Sequence, residues 1–425
     1  MSNVYTFWEQ WLIPHAVQFY NNEYLSAIRN SFYRLMPFWL TLSIFDFVEN
    51  VILTPNGIVM GSNGLNFGFW LTGGLSGDEY EQHYLIQSLY DLQQIVDFGY
   101  SAIAIVLVVM LARRLSEIWK SDTSLTMLCT LVAYIFMTTS PADTKTDFVD
   151  YFSERGFFTA FFTAFAASKL FAYLSTIDKL RTKTPKTMPE DLARCITYTF
   201  PILFTLTAFL LLSFLLTLTK PLGEQFIQYM SDSTIFQEPL FVLLYQTVVW
   251  LLWWLGIPGY GVTSIIQETA YIPAQVSNQI GDASAIFTTG FFEAGIIHVM
   301  GLIIAIIVFS QHEKWRSMSK FSLSFMMFNI QEVFIFGLPV VLNPIFLVPY
   351  ILAPLANTVV GYIAISWNIV PIFQIDMPWT MPLILSATIG THSVMGGVLQ
   401  IVWLIMDIFI YAPFVITANS VEVKD

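Results

Sequence analysis

The chain has 425 residues, of which 56% are hydrophobic and 11% charged, and its formal net charge is −12 at pH 7. A soluble domain carries about 25% charged residues, so Lys, Arg, Asp and Glu are too few here to coat a water-surrounded globule. That excludes a soluble enzyme, a nucleic-acid binder, a disulfide scaffold and a disordered chain. Long apolar runs recur without the alternation of an outer-membrane barrel, which leaves an all-α polytopic membrane protein.

Residues 1–22, with Glu9 and His15, lack the apolar stretch and cleavage pattern of a secretory signal, so the first span is expected to direct insertion. A bilayer core asks for about 20 apolar residues per helix. Such segments fall near 35–54, 92–111, 123–139, 157–177, 196–218, 239–255, 286–309, 321–338, 346–366 and 396–416. Cys129 and Cys195 are isolated, with no metal-ligand spacing, and read as small core hydrophobes. In the last third, Pro339, Pro344, Pro349, Pro354, Pro371, Pro378 and Pro382 interrupt the apolar runs. Proline removes a backbone donor, so broken or re-entrant helices are expected there, around a protein-lined cavity.

Cations set topology. Arg29 and Arg34 precede the first span, none of residues 35–112 is Lys or Arg, and Arg113, Arg114 and Lys120 follow. Lys169, Lys179, Arg181, Lys183, Lys186 and Arg194 then crowd residues 169–194. This alternation places the N-terminus and the loops near 113–122 and 178–194 in the cytoplasm, and the glycine-rich loop near 55–88 outside. Lys314, Arg316 and Lys320 break the pattern, because counting full spans puts their loop outside. The change in character near residue 225 divides the chain into a regular half, 1–225, and a proline-broken half, 226–425.

Charged groups at membrane depth are functional candidates by default. Glu332 stands out, in a greasy run with Asn329 and Gln331 that ends in Gly337 and Pro339, and Asn343-Pro344 makes a second break. A broken helix of this kind presents hydrogen-bonding groups to a polar solute. Asp46 and Glu49 share one helix face at three-residue spacing, and with Glu293 and Asp407 they read as structural carboxylates near helix ends or paired within the bundle. His298 reads as a satisfied core residue. A further polar island, Trp253-Trp254-Leu255-Gly256-Ile257-Pro258-Gly259-Tyr260-Gly261-Val262-Thr263-Ser264, ends an apolar helix abruptly, and its glycines permit close approach of a ligand to the backbone. Trp254 and, in Met377-Pro378-Trp379-Thr380-Met381-Pro382, Trp379 adjoin breaks and could stack on a sugar ring; the competing reading of each is the interfacial aromatic belt.

These islands, in this order, resemble the membrane-embedded enzyme IIC component of the bacterial phosphoenolpyruvate-dependent sugar phosphotransferase system, in its lactose, cellobiose and N,N'-diacetylchitobiose branch. The family's late signature, an Asn-x-x-Glu-Pro run followed by Ile-Phe-Gly-Leu-Pro and Leu-Asn-Pro, is matched by NIQEVFIFGLPVVLNP at 329–344. AIRNSFYRLMP (27–37), RGFFTAFFTAFAASKLF (155–171), MPEDLAR (188–194), GGVLQ (396–400) and IYAPF (410–414) extend the likeness over essentially the whole chain. The resemblance implies about ten transmembrane helices with two re-entrant hairpins in the C-terminal half. It also implies a homodimer formed by the N-terminal half, and a C-terminal half that binds sugar and moves relative to it.

On that resemblance the protein carries a β-linked disaccharide inward and presents its 6-hydroxyl to a phosphocysteine on a separate IIB protein, with IIA, HPr and enzyme I upstream. Glu332 would bond the sugar near the reacting hydroxyl, with Asn329 and Asn343 beside it. Trp379 and Trp254 would stack, and Gly256 and Gly259 would line the site. No cofactor, metal or catalytic residue of its own is expected, and no nucleic-acid partner. The chain departs from the family pattern where Pro258 replaces the His of Gly-Ile-His-Gly, where Val333 replaces the Pro after the Glu, and where Gly390-Thr391-His392-Ser393 replaces a Gly-Gly-Asp. His392 could compensate for the missing His. No reactive-cysteine run of a IIB domain is seen at either end. The alternatives are an uncoupled sugar facilitator and a non-transporting membrane receptor on the same fold.

Overall fold

The computed structural model describes residues 22–57, 59–61, 65–138, 152, 156–231, 234–282, 284–338, 340–375 and 377–419. The readings around Glu9, His15, Arg155, Pro339 and the 421–425 tail lie outside the described residues.

The first helix, α1 (Glu23–Phe47), begins where the Asn22 side chain accepts bonds from the N–H groups of Tyr24 at 3.0 Å and Leu25 at 3.2 Å. It passes into a π-helical turn, Val48–Leu53. It starts earlier than its apolar run implied, because its first turns are amphipathic and bury Ala27, Ile28, Phe32 and Leu35 against protein. Next come α2 (Tyr84–Ser101), α3 (Ile103–Trp119), α4 (Thr123–Thr138), α5 (Phe157–Ser175) and α6 (Thr199–Ser231). α3 is the hub of this group: it buries Ile103, Ala104, Leu107, Val108, Leu111, Ala112 and Leu115 at helical spacing, and α1, α4 and α5 pack on it. Small residues on α5, Ala160, Ala164 and Ala167, are fully buried and let the helices approach closely. α6 is different, with only 11% of its apolar span covered by protein.

The second group is α7 (Pro239–Trp254), α8 (Ile297–Phe309), α9 (Glu313–Met326), α10 (Glu332–Gly337), α11 (Pro344–Ser366) and α12 (Val394–Ala418). α8 packs on α12 and α9, and α11 on α7 and α12. Two pairs of buried polar side chains bond across these helices. Asn357 Nδ2 on α11 donates to Asp407 Oδ2 on α12 at 3.0 Å. His298 Nδ1 shares a 2.9 Å hydrogen bond with the Tyr411 hydroxyl, and its ring stands edge-on to Trp250 at 4.2 Å. His298 is therefore a core residue, as expected.

Seven helical stretches among the described residues are long and apolar enough to span a bilayer, α2 and α3 counting as one (Tyr84–Trp119) and α8 together with the helix before it as another (Thr289–Phe309), and α4 and α7 are shorter apolar helices. No strand occurs among the described residues, so the all-α polytopic class holds. Four expectations are corrected. The 321–338 segment is not one span, because α9 ends at Met326, Asn329 takes φ +61°, and α10 is a separate helix of 6 residues. Lys314, Arg316 and Lys320 sit on α9 rather than in a loop, and α9 turns Trp315, Ser319, Ser322 and Met326 inward as an amphipathic element. Pro349 and Pro354 do not break α11, whose helix continues past both, since neighbouring helices and polar side chains can satisfy freed backbone groups. Cys129 is buried as read, but Cys195 is exposed, because it lies on the short surface helix Glu190–Thr197 that buries no residue.

The α8–α12 contact depends on Gly301, where an added Cβ would come within 2.5 Å of Asp407 Cβ. Gly301→Ala should therefore destabilise the protein by about 1–3 kcal/mol through overpacking, read as a lowered midpoint of thermal unfolding in detergent. An unchanged midpoint would show that the two helices can move apart freely.

Candidate functional site

α7 ends at Trp254 and the chain turns back through Gly256, whose φ is +81°. A Cβ at Gly256 would stand 3.0 Å from Val341 Cγ1, and one at Gly259 would overlap the Val249 carbonyl. Both glycines are thus required by a sharp return of the backbone onto its own helix and onto the next break. Pro258 is buried at the start of the short helix Gly259–Val262.

The second break follows α9. Asn329 is 3% exposed in a left-handed conformation that suits Asn better than most residues. It redirects the chain so that Gln331 and Glu332, 4% and 5% exposed, are carried inside at the start of α10. Glu332 lies within electrostatic reach of the buried Tyr350 hydroxyl on α11. The chain then reaches Asn343, whose Oδ1 caps α11 by accepting from Ile345 N at 3.0 Å.

The breaks, remote in sequence, meet. Trp254 and the 342–343 backbone are joined twice: Leu342 N donates to Trp254 O at 2.8 Å, and Trp254 Nε1 donates to Asn343 O at 2.8 Å. On the other side, Asn329 Nδ2 donates to Trp379 O at 2.8 Å. The 329–344 break is therefore the middle member of a chain of three, with 254–259 on one flank and 377–382 on the other. Of the residues predicted from sequence, Glu332, Asn329, Asn343, Gly256, Gly259, Trp254 and Trp379 all lie on these three joined segments. Trp254 is buried with its indole N–H engaged, whereas Trp379 is half-buried. His392 is exposed in the turn before α12, with φ +50° and its N–H bonded locally to Ile389 O.

Sequence reasoning treated Asp46 as structural, but it touches this assembly. Thr380 Oγ1 donates to Asp46 Oδ2 at 3.1 Å, and Asn50 Nδ2 donates to Asp46 Oδ1 at 2.9 Å. Around this link Phe47 packs on Phe328 with centroids 4.5 Å apart, and Val51 packs with Met377 and Met381. Its only sequence signal was a carboxylate in an apolar run, since its partner lies 334 positions away. Glu49, 2% exposed, accepts from Thr54 Oγ1 at 3.0 Å.

Chemically, the middle break offers acceptors to a solute rich in hydroxyls. Among the described residues neither Asn329 Oδ1 nor Gln331 Oε1 has a hydrogen-bond partner, and both residues are more than nine-tenths buried. Buried polar atoms in this state call for a ligand or water. Among the described residues no group of His, Cys, Asp or Glu could hold a metal ion.

A polytopic helical protein with broken helices meeting around buried polar groups has the architecture of a membrane transporter. The model of the family described as "Phosphotransferase system, EIIC" matches residues 86–354. The chain belongs to that family, whose members are the membrane-embedded permeases of the sugar phosphotransferase system. It is 26% identical over 435 aligned residues to the oligo-beta-mannoside-specific EIIC component of Bacillus subtilis, covering 95% of this chain and 92% of that one. It is 24% identical to the lactose-specific EIICB component of Streptococcus mutans, over 95% of this chain and 70% of that one. In fold it is similar to the crystal structure of the transporter ChbC, the IIC component from the N,N'-diacetylchitobiose-specific phosphotransferase system. The TM-score is 0.56 at 21% identity, over 97% of both chains.

The left-handed turn gives a direct check on the middle break. Asn329→Ala should cost about 1–2 kcal/mol more than Asn329→Gly, because only glycine accepts this φ freely while both lose the bond to Trp379 O. Thermal unfolding of the two purified variants side by side reads the difference; equal midpoints would mean that the turn relaxes.

Proposed function

We propose that this permease moves a β-linked disaccharide inward and presents it for phosphorylation by a separate IIB protein. The observation that carries the reading is the convergence of three backbone breaks on a buried set of hydrogen-bonding groups, Asn329, Gln331 and Glu332. Glu332 binds the sugar near the reacting hydroxyl, Asn329 and Asn343 shape the pocket, and Trp379 stacks on a ring. Gly256, Gly259 and Trp254 form the opposite wall, while His392 approaches the site only after a rearrangement of its turn. The choice of sugar class is supported by the oligo-beta-mannoside, lactose and diacetylchitobiose specificities in the names of the similar proteins.

In this reading residues 1–225 form the scaffold and residues 226–425 the moving half. The boundary between the two groups of helices, α1–α6 and α7–α12, falls after α6 ends at Ser231 rather than at 225, and α6, largely uncovered by protein, is free to meet a second copy in a homodimer. The N-terminus and the basic 178–194 segment face the cytoplasm of a bacterial cell, where IIB docks and IIA, HPr and enzyme I feed it phosphoryl groups. The joining of C and B parts in one lactose relative's name supports the IIB partnership. The protein's own part in the transfer is positional, holding the hydroxyl near and in line with the phosphoryl donor.

One observation favours a second reading. Pro258 carries no polar side chain where family members have a His, so an uncoupled facilitator is the alternative. Uptake of labelled cellobiose, lactose, mannobiose and diacetylchitobiose, with and without the IIB partner, separates the two. Phosphorylated sugar appearing only with both proteins is the expected result; unmodified sugar inside the cell would establish the facilitator, and no uptake would sink both. Glu332→Gln should weaken binding of the transported sugar by about tenfold or more, the loss of a charge-assisted bond, while expression and dimerisation persist. Unchanged affinity would remove Glu332 from the site.

A further inference from the structure

We propose that Asp46, on α1, is a positioning residue for the sugar site: it holds the Trp379–Thr380 turn in place across the boundary between the two groups of helices. The proposal rests on the reading of Trp379 as a sugar contact and adds a residue from the opposite half of the chain.

The turn is gripped from two sides at consecutive residues. The Trp379 carbonyl accepts from Asn329 Nδ2 at 2.8 Å, and the Thr380 hydroxyl donates to Asp46 Oδ2 at 3.1 Å. Thr380 is fully buried and Asp46 is 8% exposed, so neither group has bulk water as an alternative partner. The second carboxylate oxygen is itself oriented, accepting from Asn50 Nδ2 one helical turn on at 2.9 Å. A carboxylate in a membrane span is retained at a cost. That cost is reasonable here, because it fixes a loop whose backbone follows no regular helix or strand from 377 to 382.

Apolar contacts support the same register. Phe47, the residue after Asp46, packs on Phe328, the residue before Asn329, and Val51 packs against Met377 and Met381 on either side of Trp379. Phe32 farther up α1 stacks on Phe336 of α10 at 5.4 Å. One face of α1 therefore serves as a template on which the middle and last breaks are both laid. The site is complete only while α1 is seated as it is here. Movement of the C-terminal half past α1 exchanges the Asp46–Thr380 bond and loosens Trp379, which couples sugar affinity to the relative position of the halves.

The test is binding of the four labelled disaccharides to purified wild-type protein and to Thr380→Val, Thr380→Ser, Asp46→Ala, Trp379→Ala and Thr380→Val/Trp379→Ala. Thr380→Val removes the hydroxyl with little change of shape, and carries the test should Asp46→Ala fail to fold. For the bound sugar, Thr380→Val and Asp46→Ala should each weaken affinity by about tenfold, the scale of one lost hydrogen bond to a charged group. Thr380→Ser should restore it to within about twofold. A residue acting through Trp379 has nothing left to position once the ring is gone, so in the Trp379→Ala background Thr380→Val should add less than about twofold. A general structural defect would instead persist there. Wild-type affinity in Thr380→Val, or the same loss with and without the ring, would overturn the link while leaving the sugar-site reading intact. Wild-type affinity in Trp379→Ala, or no disaccharide bound by the wild type, would overturn that reading and the link with it.

Discussion

Backbone N–H and C=O groups left unpaired in hydrocarbon each cost several kcal/mol, and this one constraint organises the C-terminal half. The chain interrupts its helices after Trp254, after Met326 and between residues 366 and 385, and each interruption frees backbone polar groups inside the fold. The breaks answer the constraint together. The second break receives the Trp254 indole N–H and returns a backbone N–H to the Trp254 carbonyl, and its Asn329 amide pairs the Trp379 carbonyl. Part of the freed polarity is thereby paired, while the Asn329 and Gln331 side-chain oxygens beside Glu332 have no hydrogen-bond partner among the described residues.

The rest of the molecule makes that arrangement affordable. The α1, α3, α4 and α5 bundle is packed through small, aliphatic and aromatic residues, its buried polar groups being mostly Ser and Thr hydroxyls, and it presents α1 as a wall. Against that wall lie Phe336, Phe328 and Met377, and through it the site gains Asp46. Behind the breaks, the Asn357–Asp407 and His298–Tyr411 pairs hold α8, α11 and α12 together.

Pro258 bears on the chemistry. Its ring starts the Gly259–Val262 helix and it offers no side-chain polar group, so in the proposed reading the polar contacts to the sugar fall to Glu332 and the middle break. A permease needs no acid or base of its own when the phosphoryl donor sits on a partner, because in-line positioning supplies much of the rate.

Composition and hydropathy determined the membrane class, most of the helices and the candidates at 329–344, because bilayer thickness and the scarcity of charge are read directly from residue order. Residue order also flagged the glycines at 256 and 259, because they end an apolar run abruptly. It could not tell that the 321–338 run breaks at Asn329, since an apolar run looks alike whether straight or folded back. Nor could it distinguish Pro349 and Pro354, absorbed within a helix, from prolines that end one. Above all it left Asp46 among the structural carboxylates. Its partner Thr380 is at the far end of the chain, and only tertiary packing brings α1 against the last break. Local periodicity carries information over a turn or two of helix, whereas a site assembled from three breaks and a distant helix is decided by how buried polar groups find one another in three dimensions.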